Sequence, residues 1–103
     1  MRITHANITR FKTCQTLSWD YITVAADVTD ADIAANLQSL RSVRGMLDIT
    51  GNSQLTTLRF PNLTSVWSLQ LQSLANLRDL SGFPKLASIR DALTLYNLPL
   101  VRE

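Results

Sequence analysis

Strict alternation of apolar and polar side chains marks four short segments of the chain, which follow one another at steps of 25, 22 and 24 residues. In each segment two aliphatic residues flank one polar residue, and this period of two is typical of a β-strand. We therefore expect the aliphatic side chains to face a core and the central polar ones to face outward, in one column of a parallel sheet. The segments are Ile22-Thr23-Val24, Leu47-Asp48-Ile49, Leu69-Gln70-Leu71 and Leu93-Thr94-Leu95.

A second pattern repeats between these segments, because Phe60 and Pro61 recur 23 residues later as Phe83 and Pro84. A fixed period of this size is typical of a solenoid, in which stacked coils bury a shared core. Leucine pairs at a spacing of three also recur and could indicate a helix. However, Pro61 and Pro84 fall between the leucines and the next strand, and a proline destabilises a helix interior by about 3 kcal/mol. Short strands or tight turns are therefore expected on every side. The pattern predicts a mainly β solenoid with about four coils of roughly 22–25 residues. The leucine pairs are Leu37 and Leu40, Leu55 and Leu58, and Leu77 and Leu80.

One segment has helical character. Thr29 or Asp30 can serve as N-cap, and acidic residues follow in the first turn, so a short helix is predicted near residues 30–36. We expect residues 1–103 to form a single domain, in which residues 1–21 are a cap-like segment and residues 22–103 are the repeat coils. The apolar residues of the cap are Ile3, Ile8, Phe11 and Leu17.

Composition limits the classes of partner. The chain has 103 residues, of which 17% are charged, and a net charge of +2. Its basic residues are spread along the chain and form no dense basic stripe, so no nucleic-acid partner is expected. No apolar stretch approaches the roughly 18 uninterrupted residues of a membrane span. The remaining partner classes are another protein or a second copy of this chain, as in a homodimer.

Few residues carry reactive side chains. Cys14 and His5 each occur once, so a catalytic pair would have to join them, and a small buried cysteine near the first coil fits Cys14 better. Asp27, Asp30 and Asp32 form an acidic cluster, but a calcium loop needs more oxygen ligands and a bidentate Glu. We therefore expect no catalytic residue, no metal site, no cofactor and no enzymatic activity.

The segment Leu40–Asn52, which contains Ser-Val-Arg-Gly and Leu-Asp-Ile-Thr-Gly-Asn, resembles receptor L domains, the ligand-binding domains of the insulin and epidermal growth factor receptors. The Phe-Pro-x-Leu-x-Ser-Val/Ile element at residues 60–66 and 83–89 is similar to repeats of fungal GPI-anchored cell-wall organisation proteins. The resemblance covers residues 36–103 and implies a right-handed, leucine-rich-repeat-like β-solenoid, an extracellular setting and no enzymatic activity. The N-terminus has no apolar signal region, so we expect an intracellular protein or a trimmed piece of a longer secreted one.

A column of aromatic and basic residues is predicted on the surface. Arg44, Trp67 and Arg90 recur every 23 residues, and Trp19 takes the equivalent place in the first coil. Neighbouring parallel strands lie about 4.8 Å apart, which suits alternating cation–π contacts. Two interpretations remain open: a stabilising surface ladder, or a strip that recognises a partner, since Trp and Arg are enriched at interface hot spots.

The last predicted coil ends without a polar cap, and bare strand edges favour pairing with another chain. The chain can be cut from a longer protein, stack on a copy of itself, or fold its tail at residues 101–103 over the end, and we favour self-association. The predicted function is a non-enzymatic protein-binding or cell-surface adhesion module, with a self-assembling structural protein as the alternative. The predicted self-association end consists of Leu93, Leu95, Leu98, Leu100 and Val101.

Overall fold

The computed structural model describes residues 1–78 and 81–101. Six strands form one parallel sheet with the order β1-β3-β4-β5-β6, and β2 pairs with β4 beside β3. The return segments between the long strands cover one face of the sheet and bury the core. The strands are β1 (Arg2–Ile3), β2 (Thr16–Leu17), β3 (Tyr21–Val24), β4 (Ser42–Thr50), β5 (Ser65–Gln72) and β6 (Ser88–Tyr96).

The strand register agrees with the alternating pattern of the sequence. Ile22 lies beside Leu47, Leu47 beside Leu69, and Leu69 beside Leu93. The predicted in-register stacking of the four segments is therefore confirmed. The physical basis is that a slip of one residue would move a whole aliphatic set from the core to the outer face.

The predicted right-handed β-solenoid is wrong. The described residues form a single open sheet, and the returns at residues 51–64 and 73–87 contain turns and no strand in their described parts. Leu55, Leu58, Leu74 and Leu77 are buried, so the leucine spacing reports burial rather than strand pairing. Leu58 even has a positive φ of 46°, a left-handed conformation that a strand does not tolerate. Leu80 of the predicted leucine pairs lies outside the described residues.

One polar and two aliphatic positions on the strands differ from the prediction. Asp48 was expected to face solvent, but it is only 7% exposed, because the hydroxyl of Tyr21 and that of Thr50 both donate to its carboxylate. Leu93 and Leu95 were expected in the core, but they are 51% and 44% exposed. No strand follows β6 within the described sheet, so nothing covers their outer side.

The helix predicted near residues 30–36 is confirmed as α1, Asp30–Asn36. Thr29 is its N-cap: the Thr29 hydroxyl accepts from the N–H of Asp32 at 3.1 Å, and the Asp32 carboxylate accepts from the N–H of Thr29 at 3.1 Å. This reciprocal arrangement is a capping box. The helix is short, and buried Ile33 attaches it to the core.

The N-terminal segment covers the first edge of the core. Strand β1 pairs with β3, and a 3₁₀ helix at Ile8–Phe11 follows it. The four apolar residues expected in the cap are all buried in the core: Ile3, Ile8, Phe11 and Leu17. In the described part of the chain, no helix combines the length and the apolar character required to cross a membrane.

Polar side chains connect successive return segments. The fully buried amide of Asn52 donates to the carbonyls of Ala25 and Val28 at 3.2 and 2.8 Å and accepts from the N–H groups of Gln54 and Leu55. Val28 and Leu55 are buried, and a buried carbonyl or N–H without a partner costs about 1–3 kcal/mol. Asn52 therefore holds the return after β4 against the one after β3.

Candidate binding surfaces

Two strand irregularities meet at Trp67. On β4 the register shifts between Val43 and Met46, and on β6 it shifts between the partners of Val66 and Ser68. Trp67 on the central strand β5 therefore lies opposite two residues on each side, Arg44-Gly45 on β4 and Arg90-Asp91 on β6. Such bulges redirect side chains. Here one bulge on β4 and one on β6 lie opposite the same residue of β5.

Trp19 joins this level from the other side of β4. It lies in the short link between β2 and β3, which both pair with β4. The link approaches Gly45 so closely that a Cβ at this position would lie 2.1 Å from the Trp19 carbonyl oxygen. The topology therefore brings the predicted Trp19, Arg44, Trp67 and Arg90 to one level of the sheet, and we call these four residues the Trp/Arg strip.

The contacts within the Trp/Arg strip differ from a stacked ladder. The Trp19 ring packs edge-on against Phe11, with ring centroids 6.1 Å apart and an interplanar angle of 74°. Among the described residues, no cation–π contact joins Trp67 to Arg44 or Arg90. Trp67 is 47% exposed. The Trp67 ring is therefore partly exposed to solvent and does not stack on either arginine.

A shallow groove of about 520 Å³ opens along three members of the strip. Arg44, Trp67 and Arg90 line it together with Ser42 and Ser65. Trp19 lies outside this groove and borders a smaller depression with Thr16 and Ser18. Three residues of the predicted strip therefore line one continuous groove, and Trp19 lies beside it.

Within the described residues, the two arginines of the groove form no ion pair. Within residues 1–78 and 81–101 the ion pair that forms is His5 with Asp32, far along the chain from the groove. Asp91 adjoins Arg90 in sequence, but its carboxylate accepts from the hydroxyl of buried Ser68 at 3.0 Å. The guanidinium groups of Arg44 and Arg90 are therefore available to an anionic ligand.

The second candidate surface is the C-terminal edge of the sheet, formed by β6 and the residues after it. Leu93, Leu95 and Leu100 of the predicted self-association end are exposed. Leu98 and Val101 differ, because both are partly buried and pack against the core. A tail folded over this end was one of the three explanations left open by the sequence, and its residues Arg102 and Glu103 lie outside the described residues.

An apolar cavity of about 170 Å³ opens behind this edge. Phe83, Leu86, Leu93 and Leu95 are among its lining residues, and the Phe83 ring stacks on the ring of buried Phe60 with centroids 5.5 Å apart. The core is therefore closed by side chains at β1 but remains partly open at β6.

Sequence reasoning missed the contact between Tyr21 and Asp48. The Tyr21 hydroxyl donates to the Asp48 carboxylate, and this hydrogen bond, followed by burial and the Asp48 charge, raises the pKa of Tyr21 above its ordinary value. Tyr21 pairs with Met46, two residues before Asp48, and diagonal neighbours on adjacent strands lie within reach of an aromatic side chain. The strand register alone could have indicated this contact.

The predicted acidic cluster has structural partners. Burial raises the pKa of the Asp30 carboxyl, but hydrogen bonds from the Thr56 hydroxyl and from the N–H groups of Thr56, Leu58 and Thr57 outweigh burial and lower that pKa overall. Asp32 caps α1 and pairs with His5 at 2.8 Å. The described residues contain no group of three His, Cys, Asp or Glu side chains placed to hold a metal ion. Cys14 is partly buried and packs against the core.

Comparisons with known proteins identify no relative. No family model matches the chain, no curated protein matches it, and no solved structure matches it. The similarity to receptor L domains therefore stays a prediction from the sequence.

Proposed function

We propose that this domain is a non-enzymatic protein-association module, and that its edge strand β6 pairs with β6 of a second copy. The observation that carries the proposal is a nine-residue edge strand whose core-side residues Leu93 and Leu95 are about half exposed. A long apolar edge strand is a ready template for strand pairing unless it is covered.

Both polar and apolar forces favour pairing at this edge. The outer N–H and C=O groups of β6 have no neighbouring strand in the described sheet, and a second strand would satisfy them. The same contact would cover Leu93, Leu95 and the adjoining cavity. Burial of a leucine stabilises by about 1.5–3 kcal/mol relative to exposure, so these two side chains contribute substantially to the association.

The lengths of the two sheet edges favour a closed dimer over a filament. The opposite edge strand β1 contains two residues, whereas β6 contains nine, so β1 cannot pair along the length of β6. Pairing of β6 with β6 uses the same surface on both copies and closes after two subunits. This replaces the end-to-end stacking expected from the sequence with a symmetric, antiparallel contact.

The polar groups of the described chain support a binding role. The carboxylates of Asp30, Asp32 and Asp48 accept hydrogen bonds from segments that are distant in sequence. The donors are Thr56, His5 and Tyr21, which lie 26 or 27 residues away. These carboxylates stabilise the fold, and the exposed chemistry is apolar at β6 and aromatic–basic at the Trp/Arg strip.

A second candidate function is the binding of a different protein or cell-surface ligand at the Trp/Arg strip. It is favoured by the free face of Trp67 between the unpaired Arg44 and Arg90. The two functions are compatible, because the strip and the apolar side of β6 are different surfaces.

Light scattering across a dilution series tests the dimer. The expected result is a mass twice that of the 11.5 kDa chain, which falls toward the monomer on dilution. Leu95→Lys should weaken the dimer by about tenfold or more, since it removes a buried leucine and places two charges at the contact. Trp67→Lys is a matched control, because Trp67 is also about half exposed and lies one strand away.

The outcomes separate the two surfaces. Dissociation by Leu95→Lys with an intact Trp67→Lys dimer supports pairing at β6. A monomeric wild-type chain at all concentrations contradicts the proposal. A dimer that Trp67→Lys dissociates and Leu95→Lys leaves intact contradicts it as well and places the contact at the Trp/Arg strip.

A further inference from the structure

The groove of the Trp/Arg strip has two cationic groups at a defined separation. Arg44, Trp67 and Arg90 lie on the neighbouring strands β4, β5 and β6. Parallel strands are about 4.8 Å apart, so the backbones at Arg44 and Arg90 lie about 9.6 Å apart across β5. Trp67, which is 47% exposed, lies on the strand between them.

The charges of the groove favour an anionic ligand. Arg44 and Arg90 form no ion pair within the described residues, and the nearest acidic neighbour in sequence, Asp91, bonds to Ser68 instead. A guanidinium group binds a carboxylate through two parallel hydrogen bonds, which gives orientation as well as attraction. A ligand with two carboxylates can therefore occupy both arginines at once.

The direction of the groove limits the conformation of the ligand. A chain that contacts Arg44, Trp67 and Arg90 runs across the strands, and the central strand β5 is already paired on both sides, with β4 and β6. Such a ligand does not gain a strand partner here. A polyproline II helix needs none, because its backbone makes no internal hydrogen bonds and stays solvated.

The dimensions of this helix match the groove. Polyproline II has three residues per turn and a rise of about 3.1 Å per residue, so residues i and i+3 lie on one side, about 9.3 Å apart. This agrees with the separation of about 9.6 Å between the arginine positions. Proline-rich segments also bind surfaces lined by aromatic rings, at a low entropic cost because the helix is preformed.

We propose that the groove binds an acidic, proline-rich peptide in the polyproline II conformation. Arg44 and Arg90 bind carboxylates three residues apart, and the intervening prolines pack on Trp67. The recognised pattern is Glu-Pro-Pro-Glu or its aspartate equivalent. The groove is complete within one chain, so this inference does not depend on the β6 dimer.

Titration calorimetry with synthetic peptides tests the proposal. A peptide containing Glu-Pro-Pro-Glu should bind, and its Gln-Pro-Pro-Gln counterpart should bind about tenfold more weakly or not at all, since both charge-assisted contacts are lost. A Glu-Pro-Glu peptide should also bind more weakly, because its carboxylates no longer face the same side. In a Trp19→Phe variant, Trp67 is the remaining tryptophan of the two, and its emission should change on binding.

Variants of the protein distinguish the groove from general charge attraction. Arg44→Gln and Arg90→Gln should each reduce the affinity for Glu-Pro-Pro-Glu by about tenfold, and Trp67→Ala should reduce it similarly. Arg10→Gln removes the same charge from an exposed position on the N-terminal 3₁₀ helix and should have no more than a small effect. The circular dichroism spectrum of each variant should match that of the wild type, which shows that the variant is folded.

Three results would overturn the proposal. The first is equal affinity for the Glu and Gln peptides. The second is an equal loss with Arg10→Gln and Arg44→Gln, which would indicate long-range attraction only. The third is no binding of Glu-Pro-Pro-Glu at millimolar concentration by the folded wild-type chain, whether it is a monomer or a dimer.

Discussion

The Asp30 carboxylate accepts two hydrogen bonds from Thr56, one from its hydroxyl at 2.5 Å and one from its N–H at 2.9 Å. The N–H groups of Thr57 and Leu58 also point to this carboxylate, at 3.4 and 3.3 Å. One side chain at the start of α1 thus holds the backbone of the next return segment, including the left-handed Leu58.

Asp30→Ala should lower the free energy of unfolding at neutral pH by about 2–3 kcal/mol, because several N–H groups and one hydroxyl lose a charged acceptor. The pKa of Asp30 is lowered in the fold, so this stabilisation is present above the unfolded pKa of about 3.8 and is lost as the pH falls through the folded value. Urea unfolding between pH 2 and 7 measures both effects. Thr56→Val in a double-mutant cycle isolates the side-chain contact, and additive losses would contradict it.

Gly45→Ala should destabilise the fold by about 2–3 kcal/mol, since the added methyl would overlap backbone that cannot move aside easily. Its Cβ would lie 2.1 Å from the carbonyl oxygen of Trp19 and 2.4 Å from that of Asp20. Gly51→Ala is the control: Gly51 has a φ of 69° but open space around it, and the left-handed conformation costs an alanine about 1–2 kcal/mol. Chemical denaturation of both variants measures the difference. An equal or smaller loss for Gly45→Ala would argue against close packing between the Trp19 link and β4.

Asn52→Ala should destabilise the protein by about 3 kcal/mol or more, because the buried Val28 carbonyl and the buried Leu55 N–H both lose the Asn52 amide as a partner. Asn62→Ala is a suitable comparison, since the Asn62 amide makes one hydrogen bond, to the Gln38 carbonyl at 2.7 Å, at a partly buried site. It should cost about 1 kcal/mol. Thermal and urea unfolding of the two variants give the comparison, and similar losses would show that Asn52 contributes no more than one ordinary contact.

The His5–Asp32 pair should stabilise the fold only within a window of pH. The hydrogen bond between His5 and Asp32, followed by the Asp32 charge, raises the pKa of His5. The same hydrogen bond lowers the pKa of Asp32. The His5 contribution is complete below its ordinary pKa of 6.5 and is lost as the pH rises through the raised value; the Asp32 contribution is complete above 3.8 and is lost as the pH falls through the lowered value.

Nuclear magnetic resonance titration of His5, the one histidine of the sequence, measures the raised pKa directly. Asp32→Asn should return it toward 6.5. For stability, His5→Gln is preferable because it leaves the Asp32 capping box intact. The wild type and His5→Gln should differ most between about pH 4 and 6.5. A constant difference across the whole pH range would contradict the ion pair.

The sequence by itself determined the register of the sheet and the position of α1. The triplets around Asp48, Gln70 and Thr94 alternate with a period of two, so a slip of one residue would move their aliphatic neighbours to the opposite side of the sheet. Likewise, Thr29 and Asp32 mark the start of a helix, because residues three positions apart can form a local capping box. The 23-residue spacing also placed Arg44, Trp67 and Arg90 at one level, because a regular repeat carries equivalent residues to equivalent strand positions.

Only the tertiary structure decided how the return segments are built and which polar groups meet. The sequence predicted a solenoid with short strands or tight turns on every side, but apolar spacing records burial and does not show whether a backbone pairs with a neighbour. Asp30 and Thr56 are 26 residues apart, and Tyr21 and Asp48 are 27 apart. A local pattern reports which side of an element is apolar, whereas the partner of a buried carboxylate depends on which distant segments pack together. The exposure of Leu93 and Leu95 has the same origin: their pattern is that of core residues, and they lie at the surface because no strand covers β6 in the described sheet.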